Sequence, residues 1–281
     1  MIKRIITIVI ILIVLLLVGI YLYFENNTLE VSKYDINSSK ISKEFNGYKI
    51  AQISDFHNTK SSKLKKSIIE SLKEEKPNII VITGDLIDSY RTNIDISINF
   101  IKEINEIAPI YYVTGNHESR IKDYKVLMEK LEENKVIILD DEVKEITVND
   151  SIINLIGIKD PTLEHQSYLK EKEIVDGVLK KIDYNNNNFS ILLSHRPELL
   201  DIYNKYNYDL VFSGHAHGGQ IRLPYIGGLV APNQWLFPKY DAGIYEIDNT
   251  KMIVSRGIGN SILPFRINNN PELIYVTLNH E

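Results

Sequence analysis

The chain has 281 residues, enough for one large domain or two small ones, and a formal net charge of -5. The mild acidity argues against broad nucleic-acid binding, which needs a basic face, so no nucleic acid is expected as a partner. It contains no cysteine, which excludes disulfides, thiolate metal ligands and a cysteine nucleophile and leaves the compartment open.

Met1-Ile2-Lys3-Arg4 is basic. Ile5 to Tyr23 is then nearly continuous apolar sequence, about 19 residues, enough to cross a ~30 Å hydrocarbon core as a helix. It has no polar face, which a buried soluble helix would show. Lys3 and Arg4 flank one end, and Glu25, Asn26, Asn27 and Thr28 flank the other. The positive-inside rule then predicts a single-pass membrane protein with a cytoplasmic N-terminus and the rest of the chain outside. A cleaved signal peptide would have a shorter apolar core and a small-x-small site. Gly19 is the only small residue near the end of the run, so an uncleaved anchor over 1–27 is favoured. Residues 28–281 show no linker and read as one domain.

Residues 28–36 alternate loosely and predict an edge strand. Residues 49–54 predict a buried strand ending in Asp55-Phe56-His57. Residues 62–75 have helical spacing, with Leu64, Ile68, Ile69 and Leu72 on one face, and Pro77 stops them. The β-branched run at 79–82 predicts a strand buried on both faces that ends in Gly84-Asp85. A helix over 94–107 and a strand over 110–114, running into Gly115-Asn116-His117-Glu118, complete a β-α-β-α-β pattern. That pattern implies a parallel sheet with helical crossovers. A helix over 124–133 precedes three successive strands at 136–139, 143–148 and 152–158, which suit a second, more antiparallel part of the core. Residues 167–182 predict a helix, and 185–188 a polar loop. A strand over 189–193 ends in Ser194-His195, and a helix opens at Pro197. The strand at 210–213 ends in Gly214-His215-Ala216-His217. Strands at 243–247, 252–255 and 273–278 close the chain.

Five strand ends therefore carry Asp55 and His57, Asp85, Asn116 and His117, His195, then His215 and His217. Of seven histidines, only His165 and His280 lie elsewhere. A lone strand-end histidine is ordinary; five beside two aspartates and an asparagine point to metal. Neutral imidazole, carboxylate and amide oxygen suit Mn²⁺, Fe²⁺ or Zn²⁺, and without thiolate this is not a structural zinc site. The set is too large for one ion. It suits two divalent ions bridged by a carboxylate, which clamp the attacking and leaving oxygens of an in-line phosphoryl displacement and activate water as the nucleophile.

The order Asp-x-His, Gly-Asp-x-x-Asp, Gly-Asn-His-Glu, Ser-His and Gly-His-x-His resembles the calcineurin-like metallophosphoesterases across residues 28–278. Gly-His-Ala-His-Gly-Gly-Gln-Ile-Arg-Leu-Pro at 214–224 and the tail at 255–273 (SRGIGNSILPFRINNNPEL) are similar to its membrane-associated bacterial branch. That branch includes YkuE- and YaeI-type phosphodiesterases and relatives that hydrolyse UDP-2,3-diacylglucosamine. The resemblance implies a four-layer α/β/β/α sandwich, here preceded by one transmembrane helix. It implies a first ion on Asp55, His57, Asp85 and His217, and a second on Asp85, Asn116, His195 and His215, with Asp85 bridging. His117 would contact the scissile phosphate and protonate the leaving oxygen. Glu118 would orient His117 or face substrate. Asp88 would support the metal ligands from behind or, the favoured reading, cap a turn, and Asn58 bears on pocket shape.

Arg91, Arg120, Arg196 and Arg222 are candidate phosphate clamps, and Arg196, beside His195, is the best placed. The apolar stretch 227–237 reads as pocket wall or core. The expected activity is a metal-dependent phosphohydrolase acting on a phosphodiester or pyrophosphate, with a substrate that is membrane-associated or lipid-linked. The alternatives are a metal-binding scaffold without catalysis and an anchored binder of envelope polymer, whose binding would survive chelation.

Overall fold

The computed structural model describes residues 2–164, 168–260 and 263–281, and for Tyr168 and Leu169 the backbone alone. In chain order the first elements are α1 (Ile2–Asn27), β1 (Glu30–Ser38), β2 (Tyr48–Ile53), α2 (Ser62–Glu75), β3 (Ile79–Thr83), α3 (Ile94–Asn105), β4 (Ile110–Val113), α4 (Tyr124–Glu133), β5 (Ile137–Ile138), β6 (Glu142–Val148) and β7 (Ser151–Gly157). There follow α5 (Tyr168–Leu179), β8 (Phe189–Leu193), α6 (Leu200–Lys205), β9 (Leu210–Ser213) and the short strands β10 (Arg222–Leu223), β11 (Gly227–Gly228), β12 (Val230–Ala231) and β13 (Trp235–Leu236). The chain closes with β14 (Gly243–Ile247), β15 (Thr250–Val254) and β16 (Glu272–His280).

Strand β3 shows how the core is layered. Successive side chains point to opposite faces of a strand. Ile80 and Ile82 share a core with Ile68 of α2, Ile101 of α3 and Leu127 of α4. Ile79 and Val81 face the other way and meet Leu155, Ile191 and Phe212 of a second sheet. That second sheet turns Ile156, Leu192 and Val211 outward onto Val175 of α5 and Tyr203 of α6. Helix, sheet, sheet and helix thus make the expected four layers, and the sheet-to-sheet core lies between buried β-branched strands.

The first sheet has the order β1-β16-β2-β3-β4-β5 and the second β14-β15-β9-β8-β7-β6. Strands β2, β3, β4 and β5 are parallel, as the helical crossovers require. The strand expected at 136–139 belongs to this sheet: Ile137 and Ile138 register on Tyr111 and Tyr112. It follows α4 as one more crossover unit, a feature that a short apolar run does not reveal. The second sheet is also not mainly antiparallel. Strands β7, β8, β9 and β15 run parallel, and only the edge strands β6 and β14 pair antiparallel. The predicted helix at 167–182 is α5 from Tyr168; Ser167, like His165, lies outside the described residues.

Helix α1 is long and apolar enough to cross a membrane, and none of its described residues is buried. Its last turns nevertheless contact the domain. Asn26 Oδ1 accepts from the Arg266 backbone N–H at 3.0 Å and from Asn260 Nδ2 at 2.8 Å. Glu25 accepts from the Asn269 N–H at 3.0 Å.

Candidate metal centre

Parallel strands bring their C-terminal ends to one edge, where open α/β sheets place their sites. The loops after β2, β3, β4, β8 and β9 meet there. Asp55, His57, Asp85 and His217 form one group of ligand atoms and Asp85, His195 and His215 a second, each group lying within 4.8 Å. Asp85 belongs to both. All these residues are buried. Reaching this arrangement strains the backbone: Asp55, His57, Asp85, His215 and His217 all have positive φ, between 46° and 66°. Such conformations cost about 1–3 kcal/mol each and persist where the surroundings enforce them. Gly84, at φ 88°, has no room for a side chain, since a Cβ would lie 2.7 Å from both His195 Nδ1 and the Gly115 Cα.

The donor chemistry fits divalent cations. His57 Nε2 lies 3.2 Å from His217 Nε2, and His195 Nε2 lies 3.1 Å from His215 Nδ1. Lone pairs facing one another at such distances call for a proton or a cation between them. His195 Nδ1 donates to the Thr83 carbonyl at 2.8 Å, which turns the Nε2 lone pair of the neutral ring into the site, a common device for metal-binding histidine. Burial lowers the pKa of His57 to about 3. Burial also pushes His215 and His217 well below the usual value, helped by Arg196 at His215 and by His57 and Arg266 at His217. These rings are held neutral, the form that binds metal.

Against its burial, Asp85 is kept ionised by His195 and His117. Burial and the neighbouring Asp85 raise Asp55 to about 6. The same carboxylates raise His195 to about 10 against its burial, so a metal ion would compete with that proton.

Asn116 gives a further sign. Its amide oxygen faces His195 Nε2 at 3.2 Å. With the amide turned over, its nitrogen would donate to His195 Nε2 at 3.2 Å and His215 Nδ1 at 2.8 Å, and its oxygen would accept from Arg120. The amide therefore has two uses: its oxygen can join the two rings around a cation, or its NH₂ can satisfy those rings without one.

His117 lies beside the cluster, its Nε2 3.9 Å from Asp85 Oδ2. The Ser89 N–H donates to His117 Nδ1 at 3.0 Å, so the proton of the neutral ring sits on Nε2. Glu118, expected to orient His117 or face substrate, does neither. It is wholly buried and accepts the backbone N–H groups of Asp85, Ile87 and Gly115 at 3.0, 3.2 and 2.8 Å. Burial and Asp85 raise its pKa to about 8. Its role is to hold the Asp85 and Asn116 loops together.

A cavity of about 710 Å³ opens over the cluster. Asp85, Asn116, His117, His215 and His217 line one side, and Val230, Ala231, Pro232, Trp235 and Leu263 line another. Arg120 and Arg196 both reach it. Arg196, the favoured clamp, is buried and already engaged by Asp160, with Nε at 2.6 Å and Nη2 at 2.9 Å from its two oxygens. Its expected role as a phosphate clamp is corrected to bracing the His195 loop. Arg91 pairs with Asp88, and Arg222 pairs with Asp241. Asp88 caps its turn as expected, accepting the Tyr90 N–H at 2.9 Å. Asn58 does not shape the cavity; it ties neighbouring loops by accepting the Asp88 N–H at 2.8 Å.

The stretch 227–237 is core only at Ala231, which is buried in one apolar cluster with Leu199 and Tyr203, whereas Trp235 is 82% exposed. Its residues form the cavity wall and an outer surface. Sequence reasoning missed Arg266, which is fully buried behind His217 with Nη2 3.5 Å from His217 Nδ1. Its signal in the sequence was a cation directly after the apolar run Leu263-Pro264-Phe265. His280 bonds the Ile41 carbonyl, apart from the cluster.

The calcineurin-like phosphoesterase family model matches residues 48–219. The chain is 30% identical over 261 residues to the uncharacterized metallophosphoesterase YkuE of Bacillus subtilis, covering 91% of this chain and 87% of that one. It is 26% identical over 214 residues to the phosphodiesterase YaeI of Escherichia coli, covering 73% of this chain and 72% of that one. The crystal structure of TT1561 of Thermus thermophilus shares the fold at 12% identity, with a TM-score of 0.51 over 75% of this chain and 90% of that one.

Proposed function

Because the chain belongs to the calcineurin-like phosphoesterase family, as a metallophosphoesterase that hydrolyses phosphoric esters, we propose that it cleaves a phosphodiester or pyrophosphate at a membrane surface. The observation that carries this reading is the pair of ligand groups sharing Asp85. Asp55, His57, Asp85 and His217 would hold one divalent ion, and Asp85, Asn116, His195 and His215 the other. Bound there, Mn²⁺, Fe²⁺ or Zn²⁺ would neutralise phosphate oxygens and lower the pKa of the attacking water.

The chain's own residues supply the rest. Asp85 places a negative charge where two cations would repel one another. His117 offers its Nε2 proton from the cavity side to the leaving oxygen, with its ring fixed by Ser89. Arg120, which reaches the cavity beside Asn116, would receive a phosphate oxygen. The apolar wall at Val230, Ala231 and Trp235 would hold the ester's organic part and keep water from it.

We further read α1 as a single-pass anchor with its N-terminus in the cytoplasm and the catalytic domain outside. Lys3 and Arg4 before the span support that orientation, and the absence of any buried residue among the described residues of α1 supports a lipid environment. The test is a panel of phosphomonoesters, phosphodiesters and nucleotide-sugar lipids, assayed on the reconstituted full chain with each metal. The reading predicts turnover only with added metal, and preference for diesters or pyrophosphates. Equal turnover in the presence of chelator would contradict it.

A further inference from the structure

The largest exposed apolar surface of the domain is concentrated in one place. Outside α1, the described chain has 11 large hydrophobic residues that are clearly exposed, and 7 of them fall between Leu223 and Phe237. Isolated exposed apolar residues are ordinary; a cluster marks an interaction site. Ile226, Trp235 and Leu236 are 63%, 82% and 65% exposed. They sit on two tight hairpins, one pairing Leu223 with Gly227 and the other pairing Val230 with Leu236. The charge pattern of the same stretch is unusual for this chain. No Asp or Glu occurs between Val211 and Tyr240, in a protein with 37 acidic residues, and Lys239 stands at its end.

The position of these hairpins relative to α1 selects the partner. Tyr21 OH donates to Asn268 Oδ1 at 3.0 Å and accepts the Asn268 N–H at 3.1 Å. Asn268 Nδ2 in turn donates to the Arg222 carbonyl at 3.2 Å, and the Arg222 N–H donates to the Ile267 carbonyl at 3.0 Å. The first hairpin is therefore joined through one residue to the anchor. Tyr21 lies six residues before the end of α1, about 9 Å along the axis, inside the apolar run that ends at Tyr23. Lys63 lies 5.5 Å from the Phe24 ring, an arrangement suited to the boundary between hydrocarbon and headgroups. If the apolar run occupies a bilayer, the segment bearing Asn268 and the adjoining hairpin lie at interface depth. The second hairpin continues from the first, with the Leu229 N–H on the Ile221 carbonyl and the Phe237 N–H on the Leu229 carbonyl.

We propose that the hairpins of residues 222–237 form a lipid-docking surface, seated in the headgroup region of the leaflet from which α1 emerges. Tyr225, Ile226, Trp235, Leu236 and Phe237 insert their apolar side chains, to the ~5–10 Å depth reached by interfacial elements. The lack of acidic residues and the presence of Lys239 suit an anionic lipid surface. Because Trp235 and Val230 also line the cavity, the seated hairpins bring its apolar wall against the bilayer. The proposal rests on reading α1 as a membrane span and does not depend on the chemistry of the metal centre.

Trp235 is the only tryptophan, so its fluorescence reports this surface directly. The full chain is reconstituted into vesicles of phosphatidylcholine and phosphatidylglycerol, with or without lipids brominated along the acyl chain. Expected are a blue-shifted emission, protection from iodide, and loss of most of the emission with the brominated lipid. A water-like emission quenched by iodide and untouched by bromine overturns the proposal. A blue-shifted emission insensitive to bromine also overturns it, because a second copy would then cover the surface. A second protein, Trp235→Phe with Tyr225→Trp, moves the probe out of the cavity to the first hairpin. Quenching there as well supports the docking surface; quenching at 235 alone means that lipid enters only the cavity, and the surface fails. A chain that does not enter vesicles at all removes the membrane-span reading itself, an outcome separate from the others.

Discussion

At His117 the Ser89 backbone decides which ring nitrogen carries the proton. The Ser89 N–H can only donate, so Nδ1 accepts and Nε2 carries the proton of the neutral ring. His117→Ala should therefore retain metal and slow turnover by roughly 10²–10⁴-fold, the usual contribution of a proton donor. The deficit should shrink for aryl esters, whose leaving groups need no proton; an equal deficit for all leaving groups would assign His117 to phosphate binding instead. The ligand candidates were legible because each stands two to four residues beyond a buried strand, where the parallel topology gathers loops. The roles of Glu118 and Arg196 were not. Both sit next to a key residue in sequence, but Glu118 turns inward to three backbone N–H groups and Arg196 turns to Asp160. Adjacency along the chain does not fix side-chain direction.

Elements differ in how much of their context a sequence carries. Helices α2 and α4 have the expected bounds because apolar spacing and punctuation agree. Strand β5 was legible as a strand but not as a member of the first sheet. The hairpins at 222–236 were missed because two-residue strands have no alternation to read. The link between the end of β7 and the end of β8 is the buried Asp160–Arg196 pair. Burial works to raise the Asp160 pKa, and Arg196 overrides it and holds the carboxyl below its ordinary 3.8. The ionised form is thus the one the fold favours, so the pair's stabilisation is complete above about pH 3.8 and is lost as pH falls through the lower folded-state value. Asp160→Asn removes the two shortest carboxylate contacts of Arg196 and leaves it only Glu171 at 3.4 Å and Glu198 at 3.5 Å, at a cost of up to about 3–5 kcal/mol near neutral pH. Urea unfolding should show that loss shrinking toward acid; a constant difference would deny the ion pair. At the end of α1, Asn26→Ala removes an acceptor shared by Arg266 and Asn260 and should cost about 1–3 kcal/mol. Thermal unfolding in detergent checks this, and an unchanged midpoint would mean that α1 does not brace the loop.

For the whole molecule, the two sheets matter because each supplies part of one site. Asp55, Asp85 and Asn116 follow strands of the first sheet, and His195, His215 and His217 follow strands of the second. The succession of buried strands and amphipathic helices was legible and the family resemblance implied the four-layer packing, whereas the cavity wall was not legible, because Leu263 and Trp235 are far apart in sequence and meet only in the fold. Asp85 is the residue common to both ligand groups, and the account stands or falls on that sharing. The direct measurement is metal content per chain together with phosphodiester turnover, for the wild type and Asp85→Asn. The account predicts about two ions per chain in the wild type, as a carboxylate-bridged pair requires, and loss of metal and turnover together in the variant. Wild-type metal content with undiminished turnover in Asp85→Asn would contradict it.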